Sequence, residues 1–119
     1  MKSPDQPELR GRTLEFARRI IRLSTALPKT KEAFVLGQQV LRSGTSVGAN
    51  YREAQRARSK AEFIAKIGDC LKELDETLYW FELLAISAIV KPSRLQPLTA
   101  ESNELLAIFT TIHKRAKER

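Results

Sequence analysis

Arg42-Ser43-Gly44-Thr45-Ser46-Val47-Gly48-Ala49-Asn50 is the stretch on which the fold turns. Two glycines and several weak helix formers allow it to be read as a loop splitting two short helices. The wider spacing argues for one continuous helix instead. Gly37, Leu41, Gly44 and Gly48 recur at steps of four, three and four, which gives a helix a smooth stripe where another backbone can approach closely. The continuous reading, over residues 31–57, is favoured. Thr30 is its expected N-cap, and Glu32 falls in the first turn, where the macrodipole favours an anion.

Working outward, Phe16, Ile20, Leu23 and Leu27 share one face of a preceding helix over residues 11–26. Leu27-Pro28 ends it, because proline disfavours helix in the residue before it. On the other side, Ser59-Lys60-Ala61-Glu62 has the form of a capping box. The helix it opens carries Ile64, Ile67, Leu71, Leu74, Leu78, Phe81, Ala85 and Ala88 at alternating steps of three and four, the seam of coiled-coil-like packing. Lys91-Pro92 is its expected stop. A fourth helix is expected over residues 99–117, capped by Thr99, with Glu101 in its first turn and Leu105, Phe109, Ile112 and Ala116 on its apolar face. No segment shows the period-two alternation of a strand. Four amphipathic helices with short connectors predict an all-α, antiparallel up-down four-helix bundle over residues 11–119, preceded by a flexible tail over residues 1–10.

The 119 residues are 42% hydrophobic and 29% charged, a globular composition without the long apolar run of a membrane span. Cys70 is the single cysteine and cannot form an internal disulfide, which suits a reducing cytoplasm. The formal charge of +7 is unevenly placed. Residues 1–60 hold 13 Lys and Arg against 5 Asp and Glu, a balance of +8, whereas residues 61–119 hold 8 against 9. Clustered cations gain from counterion release on phosphate, so this asymmetry points to a nucleic-acid partner.

The inventory for catalysis is thin. His113 is the only histidine, and Thr110 stands where the Glu-x-x-His of a bundle-core diiron site needs its carboxylate. Gly44-Thr45-Ser46-Val47-Gly48 superficially resembles a phosphate loop but lacks the following Lys-Ser/Thr and any preceding strand. Cys70 at the edge of the apolar seam reads as a buried, inert thiol. No metal, cofactor or catalytic residue is expected. Asp69, Glu73 and Glu76, away from the seam, read as structural ion-pair partners of Arg42 and Arg52, in the same or a neighbouring subunit, rather than as acid–base groups.

Arg18, Arg19 and Arg22 on the first helix, and Arg52, Arg56, Arg58 and Lys60 around the second connector, are the phosphate-contact candidates. Arg18/Arg22 and Arg52/Arg56 are like-charged pairs at i,i+4, a spacing that an anion relieves. No base-reading motif accompanies them, so backbone contact is expected. Tyr79, Trp80 and Leu83 point away from the seam. Cover from another helix, an interface with a second subunit, and base stacking are all open for them. Gly44 and Gly48, with Tyr79, Trp80 and Leu83, are the candidate oligomer interface.

Arg42 to Asn50, followed by Glu53-Ala54 and Ser59-Lys60 and then by Lys72-Glu73-Leu74-Asp75-Glu76-Thr77-Leu78-Tyr79-Trp80-Phe81-Glu82-Leu83-Leu84, resembles the bacterial four-helix bundle proteins encoded in 23S rRNA intervening sequences. The likeness spans residues 14–109, and the same blocks are similar to accessory proteins of diversity-generating retroelements. The resemblance implies a continuous second helix, a homopentamer with a basic surface and, on the retroelement side, nucleic-acid binding alongside a reverse transcriptase. It implies no reaction. The resulting expectation is a non-enzymatic, homo-oligomeric bundle that grips phosphate backbones. A scaffold with only protein partners is the alternative.

Overall fold

The computed structural model of the protein describes residues 8–119. Four helices follow one another: α1 (Leu9–Thr25), α2 (Lys31–Gln55), α3 (Lys60–Ile86) and α4 (Pro92–Glu118). The Arg42–Asn50 stretch is helical throughout, in the middle of α2. Thr30 caps α2 by accepting from the Ala33 amide at 3.1 Å, and Ser59 caps α3 by accepting from the Glu62 amide at 3.0 Å. Each satisfies an amide that the first helical turn leaves without a partner.

Short connectors force each helix to run antiparallel to the one before, and the result is an all-α up-down bundle 47 × 23 × 21 Å in extent. α1 packs on α2, α2 on α3 and α3 on α4, whereas the backbones of α1 and α4 stand further apart. Phe16, Ile20, Val40, Val47, Ile67, Leu74, Leu84, Leu105 and Phe109 are fully buried and fill the centre. Tyr51 of α2 meets Phe109 of α4 edge-on across the core, ring centroids 5.6 Å apart. The wide α1–α4 seam is clasped from outside by Arg12, which donates to Glu101 at 2.7 Å and to Glu104 at 3.2 Å. Those carboxylates, Glu101 first, hold the Arg12 guanidinium above its ordinary pKa.

The glycine stripe serves a close approach inside the chain. A Cβ at Gly44 would stand 2.7–3.0 Å from Ile20, one at Gly37 2.8 Å from Leu27, and one at Gly48 3.0 Å from the Thr13 hydroxyl. Gly44 and Gly48, expected at an interface between subunits, therefore face α1 of their own chain, and Gly44 is buried there. The α2–α3 contact is equally close and is pinned by a buried hydroxyl pair, Ser43 Oγ to Thr77 Oγ1 at 2.8 Å. Thr77 also donates to the Glu73 carbonyl within its own helix.

Three boundaries differ from the sequence expectation. α1 opens at Leu9 because Leu9 is itself buried, so residues 9 and 10 of the expected tail are helical; residues 1–7 lie outside the described residues. α3 ends at Ile86, short of Lys91-Pro92, since Ala88 takes a left-handed φ of 59°. The Ile89 amide returns to Leu84 O and the Ala88 amide to Ala85 O, both at 3.0 Å, which is the Schellman closure with alanine where glycine is usual. α4 starts at Pro92, not near Thr99, and carries Pro97 in its interior. Leu95 and Leu98 are buried in those first turns, and their burial overrides the unfavourable interior proline. Glu101, expected to serve the start of that helix, instead holds Arg12.

Candidate nucleic-acid interface

An even number of antiparallel helices brings the start of α1, the α2–α3 connector and the end of α4 to one pole of the bundle. Arg10 reaches Gln55 there at 3.0 Å, joining the first turn of α1 to the last of α2. His113, near the end of α4, lies level with Gly68 in the third turn of α3. Arg52 and Arg56 leave α2 at this pole, and exposed Arg58 and Lys60 cross the connector into α3. Lys114, Lys117 and Arg119 arrive on α4, all exposed. Those last cations were not among the sequence candidates. The only signal for them was topological, since a four-helix up-down chain must bring its last turn back beside its first.

Arg18, Arg19 and Arg22 are not part of that pole. They lie on α1 level with the Gly44 region, about 12–18 Å along the axis from Arg52 and Arg56 at 1.5 Å per residue. Arg18 is already engaged by Glu15, with both nitrogen–oxygen distances at 2.9 Å. That ion pair holds the Glu15 carboxyl below its usual range. Among the described residues Arg19, Arg22, Arg52, Arg56, Arg58 and Lys60 make no ion pair within 4.0 Å. Glu53, the neighbour of Arg52, is taken by Lys66 at 2.6 Å. Among the described residues Arg52, Arg56, Arg58 and Lys60 thus keep their charge unmatched, whereas Arg12 and Arg42 are spent on the bundle itself.

Arg42 bridges to Glu73 at 3.2 Å and Glu76 at 2.5 Å across the α2–α3 groove. The two carboxylates, Glu76 first, raise the pKa of the guanidinium. Tyr79 is 55% exposed and touches Trp80 edge-on, ring centroids 5.1 Å apart. Trp80 is half-buried against the core, and its indole N–H is enclosed with no acceptor among the described residues. Leu83 lines a shallow groove with Val35, Leu36 and Ile89. Tyr79 and Leu83 lie one turn apart on the same side of α3, Tyr79 exposed and Leu83 half-buried, with the half-covered indole next to both.

No group of three His, Cys, Asp or Glu side chains among the described residues is placed to hold a metal ion. Cys70 is fully buried, and its thiol points at the Val47 carbonyl at 3.5 Å. Burial, with Asp69 nearby, pushes its pKa from 9.0 to about 12. The thiolate is the reactive form, so alkylation by iodoacetamide at pH 8 is expected to follow the rate of unfolding and to become fast only in denaturant. The thiol's ordinary value applies in the unfolded chain. Its contribution to stability is accordingly whole below pH 9 and is lost as the pH climbs toward 12. Rapid labelling of native protein at pH 8 would contradict the burial.

A family model for 23S rRNA-intervening sequence proteins matches residues 8–111, nearly the whole described chain. The chain belongs to the 23S rRNA-intervening sequence protein family. The match covers all of α1, α2 and α3 and most of α4, so the paired blocks in α2 and α3 both lie within it. Among solved structures the chain is similar to a protein of unknown function from the S23 ribosomal protein family of Bacteroides thetaiotaomicron. That relative is 40% identical, with 89% of this chain and 98% of the other aligned at a TM-score of 0.84. No curated protein matches this member of the 23S rRNA-intervening sequence protein family. Among the described residues no helix is long and apolar enough to cross a membrane.

Proposed function

We propose that this member of the family is a non-catalytic, homo-oligomeric bundle that holds nucleic acid by its phosphate backbone. The observation that supports this is the cationic pole. Arg52, Arg56, Arg58 and Lys60 stand together, without acid partners among the described residues, where α2 passes into α3, and Lys114 and Lys117 join them from α4. Unpaired guanidinium groups facing solvent repel one another and gain when a polyanion replaces small counterions. Nothing in the cluster reads base edges, and the expected contact is with phosphate. The family resemblance implies five subunits, which would present five such poles in a ring. A reverse transcriptase is the protein partner that the retroelement side of the resemblance implies, and copurification from cells that carry one tests it.

Binding to a short single-stranded RNA, read by fluorescence anisotropy, is expected to weaken about a hundredfold between 50 and 200 mM salt if some five phosphates are neutralised. Arg52→Glu with Arg56→Glu is expected to cut affinity at least tenfold and to flatten the salt slope by about one unit for each contact removed. Both residues are on the surface, so the variant's helical circular dichroism serves as a fold control. No binding at 50 mM salt, or binding indifferent to these two substitutions, overturns the reading.

A further inference from the structure

The wide seam between α1 and α4 has two ends of opposite electrostatic character. At one end Arg12 of α1 spans it to Glu101 and Glu104 of α4. That clasp fixes the register of the two antiparallel helices. Seven residues on, two turns and about 10 Å along the axis, a helix presents nearly the same side again. On α1 the residue seven after Arg12 is Arg19, and on α4 the residue seven before Glu101 is Arg94. The register that sets a cation against an anion at the first level therefore sets two arginines against each other at the second. Arg22 and Lys91 stand one turn further toward the same end of the seam, on α1 and at the cap of α4.

Arg22, Lys91 and Arg94 are exposed and Arg19 is half-buried. None of the four has an ion partner within 4.0 Å among the described residues. Glu15, one turn before Arg19, is the single carboxylate within α1 and is held by Arg18 at 2.9 Å. Four positive charges thus gather at one end of the seam, and an anion held among them relieves their repulsion. The cationic stretch is short. Toward Arg12 the seam carries Glu15, Glu101 and Glu104 against Arg12 and Arg18, so a strand of nucleic acid laid along it would meet more carboxylates than cations. From Arg19 to Arg22, and from Lys91 to Arg94, the axial rise is about 5 Å, which suits a few directly linked phosphoryl groups and not a polymer.

We infer that this end of the α1–α4 seam is a binding site for a compact polyphosphate, a group of two or three linked phosphoryl units, free or carried by a nucleotide. Arg19 and Arg94 hold it from the two walls, because a planar guanidinium offers paired N–H donors that match two phosphate oxygens. Arg22 and Lys91 add charge one turn further out. The site is remote from the pole of Arg52 and Arg56: Arg94 and Lys114 are 20 residues apart on α4, about 30 Å along the axis. The inference is accordingly independent of the proposed function, and it gives Arg19 and Arg22, which lie outside that pole, a ligand of their own.

Isothermal titration calorimetry of the full chain with inorganic pyrophosphate, at about 50 mM salt to limit screening, tests it. Saturable binding of one pyrophosphate per chain is expected. Arg19→Ala with Arg94→Ala is expected to weaken it about tenfold or more, and Arg52→Glu with Arg56→Glu to leave it unchanged. Orthophosphate, too small to engage both walls and both levels, is expected to bind at least about tenfold more weakly than pyrophosphate. Inorganic triphosphate and adenosine triphosphate separate the two sources: tighter binding of the nucleotide assigns the group to a nucleotide, equal or weaker binding assigns it to free polyphosphate, and the site stands in both cases. No saturable binding of pyrophosphate, an unchanged affinity in the variant at Arg19 and Arg94, equal affinity for orthophosphate, or loss of binding on substitution of Arg52 and Arg56 each overturns the inference. Should helical circular dichroism fall in the variant at Arg19 and Arg94, Arg22→Gln with Arg94→Gln repeats the test with the same expected outcomes. Pyrophosphate binding in a chain that ignores RNA removes the proposed function and leaves this site intact, and RNA binding without pyrophosphate binding does the reverse.

Discussion

Phe109→Ala is expected to lower unfolding stability by about 3–5 kcal/mol, the range for emptying a fully buried aromatic site. The position is among the largest fully enclosed side chains of the molecule, and its ring lies edge-on to Tyr51 from the far side of the core. Removal therefore loses the transfer energy of the ring, its contact with Tyr51, and a tie between α4 and α2, helices that are not neighbours in the bundle. α4 leans chiefly on α3, so little else can close the gap. Against a typical domain stability of about 5–15 kcal/mol this is about a fifth of the total or more. Urea unfolding followed by circular dichroism measures it, and a loss below about 1.5 kcal/mol would mean that the core collapses around the site more readily than its packing suggests.

Gly44→Val is expected to cost about 3 kcal/mol or more, at the upper end of overpacking. Even a methyl group there would meet Ile20 Cγ1 and Cγ2 at 2.7 and 2.8 Å. Those atoms are not the free end of a flexible side chain, because isoleucine in a helix is nearly restricted to one χ1 rotamer. α1 would have to lift from α2. Valine's better helix propensity returns only a few tenths of a kcal/mol. Ile20→Ala in the same chain is expected to relieve part of the damage, and a double-mutant cycle reads that coupling directly. Gly11→Ala is the control: it is exposed, its nearest neighbour is Glu8 Cγ at 3.4 Å, and it should gain about 0.5–1 kcal/mol. Equal effects at both glycines would show that helix propensity, and not the approach of α1, governs the stripe.

Much of the fold was legible because local rules and burial agree along most of the chain. Thr30 and Ser59 were readable as caps from residue type alone, and the period of the α3 seam announced a long buried helix. The start of α4 was not legible. Pro97 is of the type that breaks helices, yet α4 runs through it, and nothing local reveals that Leu95 and Leu98 will be buried deeply enough to outweigh it. The end of α3 was missed for a related reason: Ala88 adopts a backbone angle that glycine normally advertises. The glycine stripe was correctly readable as a place of close approach, but spacing carries no information on whether the approaching backbone is a neighbour in the chain or in another copy. The cations show the same division. Their excess in the first half is a matter of counting, yet the pole exists only because the returning helix α4 adds Lys114 and Lys117 to Arg52, Arg56, Arg58 and Lys60.

The return of the chain to its starting pole has a practical consequence for anyone who handles the protein. A fusion partner attached ahead of Leu9 or behind Glu118 would in either case stand over Arg52, Arg56 and Lys60, as a hood over the side of the molecule that needs to be open. Labels for binding work belong at the opposite extremity, on the Pro28-Lys29 turn or beside Ser87, where a dye can report without shading what it is meant to observe.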